Sequence, residues 1–202
     1  DITQALSFNS THLSAYNLTI EPNTEFAKFI PANLPNDHLC YAMQDQIIHQ
    51  LSTHGFQRYE TSAYAQKAHQ AQHNLNYWQF GDYLGIGAGA HSKLSFHDKI
   101  IRQSRHKHPQ EYMKRILNQQ QILENTVIQK SDLSLEFMMN ALRLTNGFSN
   151  QLFSETTSLP FSQILPQLLS AQQQGFLELT PTKIIPTEQG RDFLNNLLEI
   201  FM

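Results

Sequence analysis

The apolar and polar residues of the N-terminal third alternate in a way that predicts a strand, a helix and a second strand. Residues 11–20 (THLSAYNLTI) carry aromatic and β-branched residues in rough alternation, which favours a strand. A helix is predicted with Asp37 as its cap and with apolar residues at helical spacing: Cys40, Met43, Ile47 and Leu51. Residues 56–64 predict the next strand. Because strand–helix–strand order is typical of a parallel pair, we expect an α/β layer.

Residues 73–92 (HNLNYWQFGDYLGIGAGAHS) contain the single tryptophan and four of the eight glycines. Gly85, Gly87 and Gly89 alternate, so in an extended strand they would line one face. A strand face without Cβ atoms usually marks the close approach of a ligand or of another backbone. The pattern alone also allows a helix to pack on this face, and it allows Tyr77 and Trp78 to be core aromatics.

The second half of the chain predicts a hairpin followed mainly by helices. The hairpin covers residues 93–104, with its turn at His97-Asp98, and Pro109 is expected to open a helix that runs to about Glu124. A further helix over about 132–145 has an apolar stripe formed by Leu135, Met138, Met139 and Leu142.

Beyond residue 146, Ser149 can cap a short helix and Gly175 ends another, in which Pro166 fits the first turn. Residues 176–185 predict a small hairpin, and Thr187 can cap the final helix. Helices, a hairpin and a closing helix are typical of a winged-helix-like domain. We therefore expect two parts, residues 1 to about 108 and about 109–202.

Composition excludes several classes of site. The net charge of -3 does not favour binding of a polyanion over the whole surface. Cys40 is the only cysteine, so the chain by itself can form no disulfide framework, cysteine zinc site or iron–sulfur cluster. No apolar run approaches the roughly 20 residues that a membrane-spanning helix needs. The chain opens without methionine in a predicted helix, so we expect the C-terminal part of a longer cytoplasmic protein.

Positive charge is concentrated in residues 93–115, which contain seven of the fourteen lysines and arginines. They are Lys93, Lys99, Arg102, Arg105, Lys107, Lys114 and Arg115. Such a cluster suits phosphates, nucleic acid or the carboxylates of a ligand. It is more commonly a solvated edge strand, which lysine and arginine protect from unwanted pairing.

Three segments carry a resemblance to a known family: residues 59–65 (YETSAYA), 73–78 (HNLNYW) and 81–92 (GDYLGIGAGAHS). They resemble the oxygen-independent coproporphyrinogen III oxidases of the radical S-adenosylmethionine (SAM) proteins, and HNLNYW is closest to the branch described as haem chaperones. The resemblance runs from about residue 10 to the C-terminus. It implies that residues 1–108 form the last strands of a TIM-like radical SAM barrel, followed by a winged-helix-like domain at 109–202.

The resemblance also implies cofactors and a function for the parent protein. The family holds a four-iron, four-sulfur (4Fe-4S) cluster with a Cys-x-x-x-Cys-x-x-Cys motif, which is absent from these residues. In the parent protein we expect SAM, the cluster, and haem that is passed to client proteins. The expected haem-binding residues are His73 as axial ligand, Asn74 and Tyr77 as polar supports, and Trp78 as a stacking surface.

Two other groups of residues are assigned by the same resemblance. Asn17, Thr19 and His91 are expected on the adenosine side of the SAM site. Arg102, Arg105 and Lys107 are expected to meet propionates.

Two alternative functions remain. One is oxidative decarboxylation of coproporphyrinogen III propionates by the parent protein. The other is DNA binding by the winged-helix-like part. Residues 146–202 contain only two basic side chains, Lys183 and Arg191, so we expect no nucleic-acid partner.

Overall fold

The computed structural model describes residues 1–120 and 122–202, which form two compact units, Asp1–Ala71 and Gln72–Met202. The first sheet of the second unit contains strands from both sides of position 108, because residues 122–127 pair with residues 100–105. The domain boundary expected near residue 108 therefore does not coincide with the division between the compact units, and it stays a prediction.

The N-terminal unit contains three helices, α1 (Ile2–Ser7), α2 (Glu25–Lys28) and α3 (Asp37–Ser52), and three strands, β1 (His12–Ser14), β2 (Phe56–Arg58) and β3 (Ala63–Gln66). Its sheet is antiparallel in the order β1-β3-β2. Leu51, Phe56 and Tyr64 form its small core. The predicted helix is confirmed, but its cap is Asn36 and not Asp37: the Asn36 side chain accepts from the Leu39 amide at 3.0 Å, and Asp37 is the first helical residue.

Three further expectations for this unit were wrong. The strand predicted at 11–20 is only three residues long, and residues 56–64 contain a turn instead of one strand. At this turn the Glu60 carboxylate accepts from the Ser62 amide at 3.1 Å, and the Arg58 guanidinium donates to the Thr61 carbonyl at 2.6 Å. The reversal places β3 between β1 and β2, so the expected adjacent parallel pair does not form.

The C-terminal unit begins with α4 (Gln72–Trp78), β4 (His91–Ser95), β5 (Ile100–Arg105), α5 (Pro109–Leu117) and β6 (Ile122–Val127). The strands form an antiparallel sheet in the order β4-β5-β6. The hairpin predicted around His97-Asp98 is confirmed, and the Phe96 amide donates to the Lys99 carbonyl across its turn at 2.8 Å.

The glycine stretch is not the extended strand that its alternation predicted. HNLNYW lies in helix α4, and Gly87 and Gly89 have φ values of +108° and +72° in a turn before β4. These left-handed conformations suit glycine, which lacks a Cβ atom. We call residues 81–90 the glycine loop.

The helix predicted from Pro109 to Glu124 was also wrong, because it ends at Leu117 and β6 follows. Gln119 has a φ of +57°, and the amides of Gln119 and Gln120 donate to the carbonyls of Ile116 and Arg115 at 3.0 and 2.8 Å. This is a Schellman motif, which normally uses glycine at the left-handed position. Because glutamine and not glycine stands at position 119, the sequence does not indicate that the helix ends here.

The rest of the unit contains α6 (Leu133–Ala141), β7 (Phe148–Ser149), α7 (Asn150–Thr157), a 3-10 turn (Phe161–Gln163), α8 (Leu165–Gln173), β8 (Leu177–Leu179), β9 (Lys183–Pro186), α9 (Glu188–Asp192) and α10 (Leu194–Glu199). Its second antiparallel sheet has the order β7-β9-β8. The predicted caps are confirmed: Ser149 accepts from the Leu152 amide, and Thr187 accepts from the Gly190 amide. The mixed α/β class and the small hairpin are confirmed as well.

Helix α6 supplies the centre of the larger core. Phe137 is fully buried, and its ring packs edge-on against Phe80, Phe148 and Phe153 at centroid distances of 5.0–5.7 Å. The apolar stripe predicted for this helix was wrong in part, because Met139 is 53% exposed while Phe137 and Met138 are buried. The buried face is therefore rotated from the predicted one.

Candidate functional site

Helix α4 presents His73 at the surface of the C-terminal unit. The His73 imidazole is exposed and makes no hydrogen bond to residues 1–120 or 122–202. Its ring packs edge-on against Tyr77, one helical turn later, with centroids 4.6 Å apart. Positions four apart lie on the same helix face, which is why HNLNYW brings these two rings together. The His73 side chain is thus exposed and has one ring contact, with Tyr77.

A chain of contacts extends from this pair into the sheet. Tyr77 packs edge-on against Tyr83 of the glycine loop, with centroids 4.4 Å apart. The Tyr83 hydroxyl accepts from Nη1 of Arg102 at 3.2 Å. Nε and Nη2 of Arg102 both donate to Oε2 of Glu136 on α6, the first at 3.1 Å. His73 is therefore linked to Glu136 through two rings and one guanidinium group.

Trp78 is the last residue of the same helix. Its half-buried ring has the Arg143 guanidinium over one face, 4.4 Å from the centroid, which is a cation–π contact. Only the opposite face remains for a flat ligand. Asn74 is half-buried beside His73, and Asn76 donates to the Asp82 carbonyl at 2.9 Å, so Asn76 holds the glycine loop.

The glycine loop is fastened tightly at Gly85. Its amide donates to the Ser92 hydroxyl at 2.9 Å, and its carbonyl accepts from Nε of Arg105 at 3.3 Å. A Cβ atom at Gly85 would lie 2.1 Å from the His91 carbonyl oxygen, so the loop backbone touches the start of β4. The close approach expected at the glycines therefore occurs at Gly85, and the group that approaches is the protein's own backbone at His91.

An ion pair between the buried Lys93 and the partly exposed Asp82 anchors the other end of the loop, and it was not predicted from the sequence. Lys93 Nζ donates to Asp82 Oδ1 at 2.9 Å, to the Phe80 carbonyl at 2.9 Å and to the Ser95 hydroxyl at 3.1 Å. Burial lowers the pKa of Lys93, and its bond to Asp82 offsets this only in part. Burial would raise the pKa of Asp82, but hydrogen bonds from Lys93 and Ser95 outweigh it, so that pKa lies below its usual value.

A cavity of about 430 Å³ lies beside the first sheet of this unit. His91, Arg102 and the carboxylates of Glu124, Asp132 and Glu136 line it. Two of the expected ligand-binding residues, His91 and Arg102, therefore share one cavity. Burial lowers the pKa of Arg102, but Glu136 more than compensates and raises it, so this guanidinium group stays charged.

The other two expected propionate partners lie elsewhere. Arg105 is buried under the glycine loop, and its Nη1 has no acceptor within the described residues. Lys107 is exposed, and its Cα atom is 3.8 Å from the position a Cβ atom would take at Gly89. The three cations therefore lie in different places: Arg102 lines the cavity, Arg105 is buried and Lys107 is on the surface.

The remaining expected SAM residues, Asn17 and Thr19, belong to the N-terminal unit. Both are exposed in the irregular segment after β1. Cys40 is half-buried near the start of α3, with Sγ 3.9 Å from the Pro35 carbonyl oxygen. In residues 1–120 and 122–202, no cluster of three or more potential metal ligands occurs, and no helix is both long and apolar enough to cross a membrane.

Comparison with known proteins gives consistent matches. Residues 128–193 match the HemN C-terminal domain. The whole chain aligns with "Heme chaperone HemW" of Escherichia coli at 44% identity and of Haemophilus influenzae at 42%, covering 52% of each relative. The coproporphyrinogen III oxidase HemN of Escherichia coli, described as a radical SAM enzyme, matches in structure with a TM-score of 0.72 over 99% of this chain and 50% of that one, at 17% identity.

The fold and these matches show which class of protein the chain resembles. The chain is similar to the oxygen-independent coproporphyrinogen III oxidase-like proteins of the radical SAM family, and it spans about half the length of the curated relatives it matches. Within that family it is similar to the haem chaperones, which confirms the resemblance seen in HNLNYW. The relatives' names favour the haem chaperone interpretation over the oxidase, since the structural likeness to the oxidase shows the fold alone.

Proposed function

We propose that the parent protein binds haem at helix α4 and transfers it to client proteins. The observation that carries this proposal is the exposed His73 imidazole, held edge-on by Tyr77 on a chain that aligns throughout with haem chaperones. Histidine is a standard axial ligand of haem iron. An accessible ring nitrogen on a rigid helix can take up iron and release it without rearranging a core, which suits transfer.

The neighbouring residues have distinct parts in this proposal. Tyr77 fixes the plane of the His73 ring, and Tyr83 supports Tyr77 from the glycine loop. Asn74 is a polar support, and the face of Trp78 opposite Arg143 offers a stacking surface for the macrocycle. Because a metal-bound imidazole depends on the groups that orient it, the tyrosine pair should influence affinity as well as geometry.

Arg102, Arg105 and Lys107 are the proposed partners of the haem propionates. Lys107 has the most accessible charge. Arg102 already donates to Glu136, so a propionate there would have to share or displace that carboxylate. Arg105 would need movement of the glycine loop, because its guanidinium group lies beneath Gly85.

The radical SAM cofactors belong to the parent protein in this proposal. A 4Fe-4S cluster is held by several thiolates, and this chain has one cysteine, so the residues present do not fit the cluster. Asn17, Thr19 and His91 are proposed to contact the adenosine of SAM. Cytoplasmic location is part of the proposal, since that compartment keeps cluster-binding thiols reduced.

The test is a haem titration of the full-length protein and of the His73→Ala and His91→Ala variants, followed by absorption in the Soret region. We expect His73→Ala to weaken binding by at least about tenfold and to shift the Soret band, because an axial ligand is lost. His91→Ala should leave both unchanged.

The control is His49→Ala, which removes an equally exposed histidine from α3 in the other unit. Circular dichroism checks that each variant is folded. A folded His73→Ala protein with unchanged affinity and spectrum would show that His73 is not the axial ligand. Transfer is tested separately by mixing the haem-loaded protein with a haem-free acceptor enzyme and following recovery of the acceptor's activity.

A further inference from the structure

Among the three proposed propionate partners, Arg102 is the one that an acidic side chain holds within the described residues. Its Nε and Nη2 atoms both donate to Oε2 of Glu136, the first at 3.1 Å, and Nη1 donates to the Tyr83 hydroxyl at 3.2 Å. Nη1 and Nη2 each keep a second N–H group that these bonds do not use. A propionate can therefore contact Arg102 while Glu136 is still bound to it.

The Arg102–Glu136 ion pair is open to a ligand. The two side chains are 37% and 29% exposed, and both line the cavity of about 430 Å³. An ion pair that water reaches contributes little to stability. A second carboxylate can therefore replace Glu136 on the guanidinium group without a large loss of folding free energy.

The charge balance of this cavity opposes a firm hold on a propionate. Three carboxylates line it, those of Glu124, Asp132 and Glu136, against the Arg102 guanidinium group and the His91 imidazole. Neither Glu124 nor Asp132 forms an ion pair within residues 1–120 and 122–202. The cavity therefore has a net negative charge even with His91 protonated, and a further carboxylate meets repulsion there.

A series of contacts connects Arg102 to the proposed haem ligand. The Tyr77 ring packs against the His73 ring and the Tyr83 ring, with centroids 4.6 and 4.4 Å away, and the Tyr83 hydroxyl accepts from Arg102. Two aromatic rings thus separate His73 from Arg102. Because haem carries its iron at the centre and its propionates at the edge, one macrocycle can span such a separation.

We propose that Glu136 is an internal competitor of the haem propionate for Arg102, and that this competition keeps haem binding reversible. Without haem, Glu136 neutralises the guanidinium group. When haem binds, a propionate takes over part or all of that contact, and Glu136 regains it when haem leaves. This inference rests on the proposed function, since it requires haem at His73 and a propionate at Arg102. Glu136 therefore lowers affinity and promotes transfer.

The test compares the full-length protein with its Glu136→Gln variant. Glutamine keeps the shape of the side chain but removes its charge, so Arg102 becomes available to a propionate. We expect haem affinity to rise by at least about fivefold, because a charge-assisted hydrogen bond no longer has a competitor. Release of haem to an excess of haem-free myoglobin should slow by a similar factor. The Soret band should not shift, since the proposed iron ligand is unchanged.

Haem dimethyl ester separates competition from a merely structural role of Glu136. Its esterified side chains carry no negative charge, so they do not compete with Glu136 for the guanidinium group. The native protein and Glu136→Gln should therefore bind the ester with the same affinity. A structural effect of the substitution on His73 would change the affinity for both ligands.

Three further variants separate the contact from the charge. Glu136→Asp keeps the charge but withdraws the carboxylate from Arg102, so it should also tighten haem binding, and it decides the question if Glu136→Gln does not fold. Asp132→Asn removes a charge from the same cavity without altering the hydrogen bonds of Arg102, and should give less than half of the gain. Glu155→Gln on the exposed side of α7 should change nothing. Circular dichroism checks folding.

Several results would overturn the proposal. They are an unchanged or lower haem affinity in folded Glu136→Gln, an equal gain with the dimethyl ester, and an equal gain from Asp132→Asn. The outcome for His73→Ala distinguishes this failure from failure of the proposed function. If His73→Ala abolishes haem binding but Glu136→Gln does not tighten it, only the competition is wrong. If His73→Ala leaves haem binding intact, the proposed function and this inference fail together.

Discussion

The ammonium group of Lys93, only 2% exposed, lies 2.9 Å from Oδ1 of Asp82, whose carboxylate is 43% exposed. The pair is thus asymmetric, because the cation is buried while the anion still reaches water. Lys93 also lies 4.1 Å from the centroid of the Phe80 ring and donates to the Phe80 carbonyl. Lys93 therefore joins strand β4 to Phe80 and Asp82, which follow HNLNYW in the sequence.

This asymmetry predicts unequal effects of removing the two charges. Asp82→Asn should lower the free energy of unfolding by about 3 kcal/mol, because it leaves a buried ammonium group without its counter-ion. Lys93→Met should cost less, about 1 kcal/mol, since the remaining Asp82 carboxylate can be hydrated. Chemical denaturation measures both. In the double variant, a loss near the sum of the single losses would show that the two groups do not interact.

The same pair predicts a dependence of stability on pH. Hydrogen bonds from Lys93 and Ser95 outweigh burial and hold the pKa of Asp82 below its usual value. A depressed carboxyl pKa contributes stability above the unfolded-state pKa of about 4, and this is lost as the pH falls through the folded-state pKa. The stability difference between the native protein and Asp82→Asn should therefore shrink from pH 7 to pH 3. Asp98→Asn, at the exposed hairpin turn, controls for general charge effects.

Two glycines of the same loop should respond differently to a methyl group. Gly85→Ala should destabilise by about 3 kcal/mol, because its Cβ atom would lie 2.1 Å from the His91 carbonyl oxygen and backbone must move. Gly87→Ala has open space, and only its positive φ opposes the change, which costs about 1–2 kcal/mol. Thermal and chemical unfolding compare the two variants. The reverse order of stability would contradict the packing described for the glycine loop.

The phenylalanine cluster gives a further prediction. Phe137→Ala should lower the free energy of unfolding by about 4 kcal/mol, since it leaves a cavity among Phe80, Phe148 and Phe153. Met139→Ala, two residues later on α6, should change it by less than about 0.5 kcal/mol because Met139 is exposed. Denaturant midpoints with unchanged slopes provide the measurement. A larger loss for Met139→Ala than for Phe137→Ala would mean that α6 buries the face predicted from its sequence pattern.

The sequence by itself determined the features that depend on neighbouring residues. The caps at Ser149 and Thr187 were predictable because a hydroxyl group reaches an amide only three residues away. The hairpin at His97-Asp98 was predictable for a similar reason, since its strands follow each other directly. Cysteine content excluded a cluster held by this chain alone, and HNLNYW with the glycine loop indicated the family.

Only the tertiary structure decided which residues meet across long separations. The contacts from Tyr77 through Tyr83 and Arg102 to Glu136 join residues up to 59 positions apart. Contacts between distant residues also explain three other features. They are the burial of Lys93, the insertion of β3 between β1 and β2, and the formation of β6 where the end of a helix was predicted. Hydrophobic periodicity describes which face of a segment avoids water. It does not specify the partner that covers that face, because the partner comes from elsewhere in the chain.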